Sequence, residues 1–393
     1  MTLRLLALVT LAALLTGCAR SSRPRPAPAP KPGGVVFGKV LPGISIVKLP
    51  PDIEPAGRWS PDSRWVLAQE PTHQFLFKVD FSGTPVRLYS HQEKRRGAYG
   101  YLAGLDDYEA AWTDNGKRVW FTICYDRGCD APLEERYLSV AAAGGDVRNR
   151  PWRIPAVAGD RQLRAEVIMT GHDYDKWLFE VYAAGRRKPI LRLHYRKPLN
   201  TDDRFIWLPD SSGVVWMREV DAPVPPGPAF ITETRLIDIA KRRITPLLPV
   251  PYRPMNPDVV HALPGKAGLW IWLDANPKIG LKDGLTHTAI LQPKTGQLAV
   301  RSYDLRALGP VTRLWELVPS PNQNYLLAVF MDKDRRPGLY AVSWDGATVE
   351  KLFAGWQVEI APDGSRFLFR YPHKKNDQGL PKYGIANIKQ AKD

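Results

Sequence analysis

The residues able to do chemistry are spaced against a local active site. His73, His91, His172, His194, His261, His287 and His373 stand singly, and the chain holds no His-x-x-x-His or Cys-x-x-Cys pair. Isolated ligands of this kind supply no metal set from one element. No Gly-x-Ser-x-Gly elbow presents a serine nucleophile, and no glycine-rich loop followed by Lys-Ser/Thr cradles a phosphate. The expectation is therefore no metal, no cofactor and no catalytic residue. Asp62, Asp210 and Asp363 could pair for acid–base work. Each, however, occupies the same position in a short turn motif, where an aspartate caps the turn through its side chain. Cys124 and Cys129 enclose four residues in "CYDRGC". That spacing suits a loop-pinning disulfide better than a dithiol centre or a metal site.

Binding chemistry is better represented. The chain carries a formal charge of +15, which favours anionic partners without specifying a fold. Lys94, Arg95 and Arg96 cluster near Tyr99 and Tyr101, while Arg335–Arg336 and Lys374–Lys375 form two further basic pairs. All fall in long connections and are the candidate partner-binding residues. "GRRK" at Gly185–Lys188 and "KRR" at Lys241–Arg243 fall in short turns instead, so basic charge is not confined to one side. Of the 13 tryptophans, Trp59, Trp112 and Trp207 immediately precede turns, and Trp65, Trp120 and Trp216 lie in the strands that follow. These are expected in the core, where packed sheets need large apolar side chains. Trp152, Trp315 and Trp356 do not follow the pattern and stay unassigned.

The element that positions all of these is a repeat. "WSPDSRWVLA" at Trp59–Ala68 returns as "WTDNGKRVWFT", "VAGDRQLRAEVIM", "WLPDSSGVVWM", "ALPGKAGLWIW", "PSPNQNYLLAVF" and "IAPDGSRFLFR". Six steps separate Asp62 from Asp363, a period of about 50 residues that suits a four-stranded propeller blade. Within each unit, Pro, Asp and Gly build the turn. The runs that follow it, such as "RVWFT" and "LWIW", are the β-branched and aromatic stretches of a buried strand. A second hairpin completes each unit, as in "FLFKVDFSGTPVRLY".

The last unit lacks its fourth strand, and "GISIVKLP" at Gly43–Pro50 precedes the first unit with nothing of its own to pair with. Placed as the outer strand of the last blade, it removes an exposed edge. The expected fold is all-β: a seven-bladed propeller of four-stranded antiparallel blades, with six or eight as alternatives, closed by this N-terminal strand.

The aromatic followed by an "SPDG"-type turn resembles the PD40 (WD40-like) repeat of the TolB-like propellers over residues 50–390, best at Asp62, Asp210 and Asp363. That resemblance implies a bacterial interaction scaffold. The family repeat also occurs beside peptidase domains, for which the chain has no room. No separate N-terminal α/β domain like that of TolB is expected here either, so its partnership is not carried over.

The N-terminus supplies an address. Arg4 precedes the apolar run Leu5–Leu15, which is short for a membrane span and reads as a secretory signal. Leu15-Thr16-Gly17-Cys18 resembles the bacterial lipobox, implying cleavage before Cys18 and its lipidation (palmitate or similar chains), with more than one chain needed for stable anchoring. "ARSSRPRPAPAPKPGG" then reads as an extended tether. The expected domains are a signal at 1–17, a tether at 18–34 and a propeller at 35–393. The expected function is a monomeric, non-catalytic binding scaffold of the cell envelope, held on a membrane through its lipid. The outer membrane facing the periplasm is favoured, with inner membrane or cell surface as alternatives. Its partner would be an envelope protein or an anionic polymer, with nucleic acid, which fits the charge but not the address, ranked last. The alternative is a polysaccharide lyase or hydrolase with an axial active site.

Overall fold

A computed structural model describes residues 36–389 except 52, 71–74, 92–93, 96–97, 103–109, 114–115, 127–133, 151–155, 158–162, 171–175, 184–185, 187, 196–203, 209, 222–229, 250–251, 256–259, 264–267, 306–310 and 372–381. Two strands open the chain: β1 (Val36–Phe37) and β2 (Ile44–Lys48). A first sheet follows, made of β3 (Glu54–Trp59), β4 (Val66–Gln69), β5 (Phe75–Val79) and β6 (Pro85–Ser90). The second contains β7 (Lys94–Arg95), β8 (Ala98–Leu102), β9 (Ala110–Thr113), β10 (Arg118–Asp126), β11 (Glu134–Ala141) and β12 (Arg148–Arg150).

The third sheet is β13 (Ala156–Val157), β14 (Leu163–Thr170), β15 (Lys176–Ala183) and β16 (Leu191–Tyr195). The fourth is β17 (Arg204–Trp207), β18 (Gly213–Asp221), β19 (Phe230–Asp238) and β20 (Arg243–Pro246). The fifth is β21 (Val260–Leu263), β22 (Gly268–Leu273), β23 (Thr286–Gln292) and β24 (Gln297–Tyr303). The sixth is β25 (Val311–Pro319), β26 (Tyr325–Asp332), β27 (Pro337–Ser343) and β28 (Thr348–Phe353). The seventh holds β29 (Trp356–Ile360), β30 (Arg366–Tyr371) and β31 (Lys382–Ile388).

The strands of each sheet as given pair antiparallel, and together the sheets form an all-β propeller. Second strands read as continuous apolar runs: every residue of β4 and of β22 is buried. That is what a strand covered on both faces requires. Fourth strands such as β6 and β24 alternate with exposed positions, because they lie farther from the centre. First strands of consecutive sheets touch one another, β3 with β9, β13 with β17, β17 with β21 and β25 with β29, so this edge is the inner one.

Sheet-on-sheet packing supplies the core. Leu67, Leu76 and Leu88 pack on Val119, Phe121 and Ile123 across the first seam. Phe179 and Val181 pack on Trp207 and Trp216 between the third and fourth sheets. Further clusters join the fourth to the fifth, the fifth to the sixth and the sixth to the seventh. Trp59, Val66 and Val79 meet Leu368, Tyr383 and Ile385, which joins the last sheet to the first.

The repeated turn has one construction. Asp62 Oδ1 accepts from Ser60 Oγ at 2.5 Å and from the Arg64 amide at 3.2 Å. Ser60 Oγ in turn accepts from the Trp65 amide at 2.8 Å. Asp210 and Asp363 accept from the amide two residues on, at 3.1 and 2.8 Å, and Asn322 does so at 3.2 Å. The acids are thus committed to turn capping. Neighbouring turns are also tied together: the Asp363 amide donates to Ser63 Oγ at 2.9 Å, and Tyr325 Oη donates to the Gly364 carbonyl at 2.9 Å.

The N-terminal segment is built into the two last sheets. β2 pairs antiparallel with β31, Ile44 opposite Ile388 and Lys48 opposite Gly384, the placement expected for Gly43–Pro50. β1 adds in parallel to the outer edge of β28, which the sequence did not announce. Between them, Glu350 Oε2 accepts from both the Val40 and Leu41 amides at 2.8 Å. Two edges that would otherwise face solvent are covered in this way.

Two connections differ from the reading of them as long loops. β7 pairs antiparallel with β8, and β8 pairs with the distal half of β10 while β9 pairs with its proximal half. β10 is long enough for both because "RVWFTICYD" is an unbroken run of strand formers. Residues 333–336 form a tight turn rather than a loop. Asp332 Oδ1 accepts from the Asp334 and Arg336 amides at 2.8 Å, and Arg335 sits at φ 59°, so a single aspartate side chain closes the hairpin.

Candidate functional site

The expected basic surface is not assembled in one place by the described residues. Lys94 and Arg95 lie in β7 and Tyr99 and Tyr101 in β8, where Lys94 faces Tyr99 and Tyr101 faces Cys124 in register. Of these residues only the backbone is described. Arg335 and Arg336 are exposed, but on the sixth sheet, separated from the second by the seventh and the first. Cys18, Arg96, Cys129, Trp152, Lys374 and Lys375 lie outside the described residues.

The tryptophans divide more sharply. Trp59, Trp120, Trp207 and Trp216 are buried, at 8, 7, 7 and 0% exposure, and Trp112 packs against the first seam. Trp65 departs from the core expectation. It is partly exposed and carries the Lys78 ammonium 4.2 Å from its ring centroid. Trp315, which the repeat pattern left unassigned, is exposed, at 56%.

Trp315 stands at a bulge of the inner strand β25, where the register to β26 shifts between Leu314 and Glu316. A bulge re-aims one side chain out of the regular alternation. Arg313, also exposed, holds its guanidinium 5.6 Å from the Trp315 ring centroid, a cation–π arrangement. The adjoining inner strand, β29, has its own register shift between Trp356 and Glu359, and Gln357 adopts φ 53° there. Glu316 joins the two strands: its Oε1 accepts from the Val358 amide at 2.8 Å. Burial pushes the Glu316 carboxyl up to about 7, against the opposing pull of the Val358 and Gln357 amides. Across β29, Arg370 lies 5.3 Å from the Trp356 ring and 5.8 Å from that of Tyr383. Its Nη1 donates to Gln357 Oε1 at 3.3 Å.

The inner edge of the sixth and seventh sheets therefore offers an indole, two guanidinium groups and a side-chain amide. These groups stack on rings and grip carboxylates or hydroxyls. The sequence signal was the phase of Trp315. It lies four residues before Pro319 in β25, whereas Trp59, Trp112 and Trp207 directly precede their turns. Nothing in the spacing pointed to Arg313, Glu316, Gln357 or Arg370, because the bulges that aim them are not written in the repeat.

Two deeply buried ionisable groups elsewhere are already satisfied. Glu180, 2% exposed, accepts from Tyr182 Oη and from Arg192 Nε at 2.6 Å. His287, 1% exposed, bonds Ser302 Oγ at 2.8 Å and the Lys282 carbonyl at 2.9 Å. Among the described residues, no group of three or more His, Cys, Asp or Glu is placed to hold a metal ion.

The chain matches no protein-family model and no curated protein. Solved structures match in fold. A prolyl endopeptidase superposes with a TM-score of 0.52 at 11% identity over 90% of this chain and 51% of that one. A puromycin-hydrolyzing peptidase of Mycobacterium tuberculosis gives 0.46 at 13% identity, covering 84% of this chain and 49% of that one. TolB from Acinetobacter baumannii gives 0.40 at 10% identity, covering 88% and 80%. The chain spans about half the length of these two peptidases. What the likeness to the prolyl endopeptidase shows is a β-propeller.

Proposed function

We propose that the chain is a seven-bladed binding propeller, anchored in a bacterial cell envelope through lipid on Cys18, that recognises a partner rather than transforming a substrate. The observation that carries this reading is the inner-edge set of Trp315, Arg313, Gln357 and Arg370. The open groups there are recognition groups, while Asp62, Asp210 and Asp363 cap turns and Glu180 is tied to Tyr182 and Arg192. The partner is an envelope protein or an anionic envelope polymer, in keeping with the charge of +15. A disulfide between Cys124 and Cys129 would pin the connection after β10.

One observation favours a second reading, an enzyme acting at the inner edge. Glu316, pushed up to about 7, lies beside Trp315 and could exchange a proton near neutrality. The two readings separate in one experiment. The full-length lipidated chain is purified from detergent-solubilised cells as wild type, as Trp315→Ala/Arg313→Glu and as Glu316→Gln. A partner retained by wild type and Glu316→Gln but lost from the double variant supports binding. A polymer that wild type shortens and Glu316→Gln leaves intact overturns it in favour of the enzyme.

A further inference from the structure

We infer that Arg218 is the recognition group of an oxyanion site in the seam between the third and fourth sheets, separate from the inner-edge surface. Residues i and i+2 of a strand share a face, so Arg218 lies on the same face of β18 as Trp216. That face packs against Ala165, Phe179 and Val181 of the third sheet. Arg218 is only 8% exposed. Its Nε is buried and makes no hydrogen bond.

Among the described residues, the carboxylate opposite it is engaged elsewhere. Glu233 stands opposite Arg218 and Arg235 opposite Trp216 in the β18–β19 register. Glu233 Oε2 accepts from Arg235 Nη2 at 3.0 Å. Both guanidinium groups lie over the Trp216 ring, Arg218 at 5.5 Å and Arg235 at 5.6 Å. Two cations therefore share one indole, while the carboxylate beside them bonds Arg235 alone. A buried lysine in this position could lose its proton, but a guanidinium stays charged. An uncompensated buried charge is strongly unfavourable, and a ligand anion removes the cost. The planar fork of arginine matches a two-oxygen acceptor, a carboxylate or a phosphate.

The test is thermal unfolding of the full chain against sodium phosphate and, separately, sodium acetate, with ionic strength held constant by chloride. Wild type is compared with Arg218→Met and with Arg335→Met, which removes an exposed cation. The wild-type Tm should climb with at least one anion, as ligand binding to the native state requires. The climb should persist in Arg335→Met and vanish in Arg218→Met. Which anion acts identifies the ligand as a phosphate or a carboxylate. A flat wild-type Tm with both anions overturns the inference, as does an equal climb in Arg218→Met. Should Arg218→Met not fold, Arg218→Lys keeps the charge without the fork. It must then weaken the apparent anion affinity at least tenfold, and unchanged affinity refutes the assignment.

Discussion

Glu316→Gln should stabilise the protein in a manner that depends on pH. In the folded chain the Glu316 carboxyl is raised from its ordinary 4.5 to about 7, chiefly by burial. A raised carboxyl favours the protonated form in the native state. Its contribution is therefore intact below pH 4.5 and is lost as pH climbs through about 7. A tenfold change in proton affinity corresponds to about 1.4 kcal/mol, so the rise to about 7 is worth about 3 kcal/mol at pH 8. Glu316 keeps some contact with solvent, which makes that figure an upper bound and about 1.5 kcal/mol a reasonable floor. Glutamine retains an acceptor for the Val358 amide and does not titrate. Urea unfolding of both chains, followed by tryptophan fluorescence at pH 5, 6, 7 and 8, measures the difference free of the titrations they share. The variant should exceed wild type by at most about 0.8 kcal/mol at pH 5, by progressively more up to about pH 7, and level off towards pH 8. A difference that stays constant over this range would refute the reasoning, because the carboxyl would then not be desolvated in the native state.

Gly346 sits at φ 78°, and a Cβ there would approach Tyr303 Cδ1 to 1.9 Å. Gly346→Ala should therefore cost about 2–4 kcal/mol of unfolding free energy through left-handed strain and overpacking. Trp315→Ala should leave stability within about 0.5 kcal/mol, as for an exposed surface site, whereas Trp216→Ala should cost about 3–5 kcal/mol. Calorimetry of the pair checks both. Asp345 is held below the usual carboxylate range, first by the Ser343 hydroxyl and then by the Ala347 amide. Its contribution is present above pH 3.8 and fades as pH falls below that value. Asp345→Ala should cost about 1 kcal/mol at pH 7 and less at pH 3, measured by denaturant unfolding. Cys18→Ala should abolish incorporation of a radiolabelled fatty acid into the chain and release it from the membrane fraction.

The architecture was legible because the features that build it are local and repeated. The aspartate of such a turn accepts from the amide two residues on, a bond made within the turn itself, so "SPDS", "LPDS" and "APDG" announce the same turn without knowledge of the rest of the fold. The placement of Gly43–Pro50 was legible for a similar reason: an incomplete last unit and an unmatched first strand fit each other. The parallel addition of β1 was not, since it depends on Glu350 gathering the Val40 and Leu41 amides from about 310 residues away in sequence. Nor was the inner-edge site. Trp315 and Gln357 acquire their roles from register shifts in β25 and β29, and a one-residue slip leaves no mark on composition. The local structure of two basic runs was not legible either. Lys94–Arg95 and Arg335–Arg336 look like loop residues because they are charged. Yet β7 pairs with β8, and Asp332 folds the other pair into a hairpin.

The central claim is that the inner edge around Trp315 is where a partner binds. A photo-crosslinking residue at position 315, compared in intact cells with one at Met255, which is also exposed at 47%, tests it most directly. One discrete adduct is expected from position 315, abolished by Arg313→Glu, and none from position 255. Indistinguishable adducts from both positions, or an adduct at 315 indifferent to Arg313, would contradict the claim.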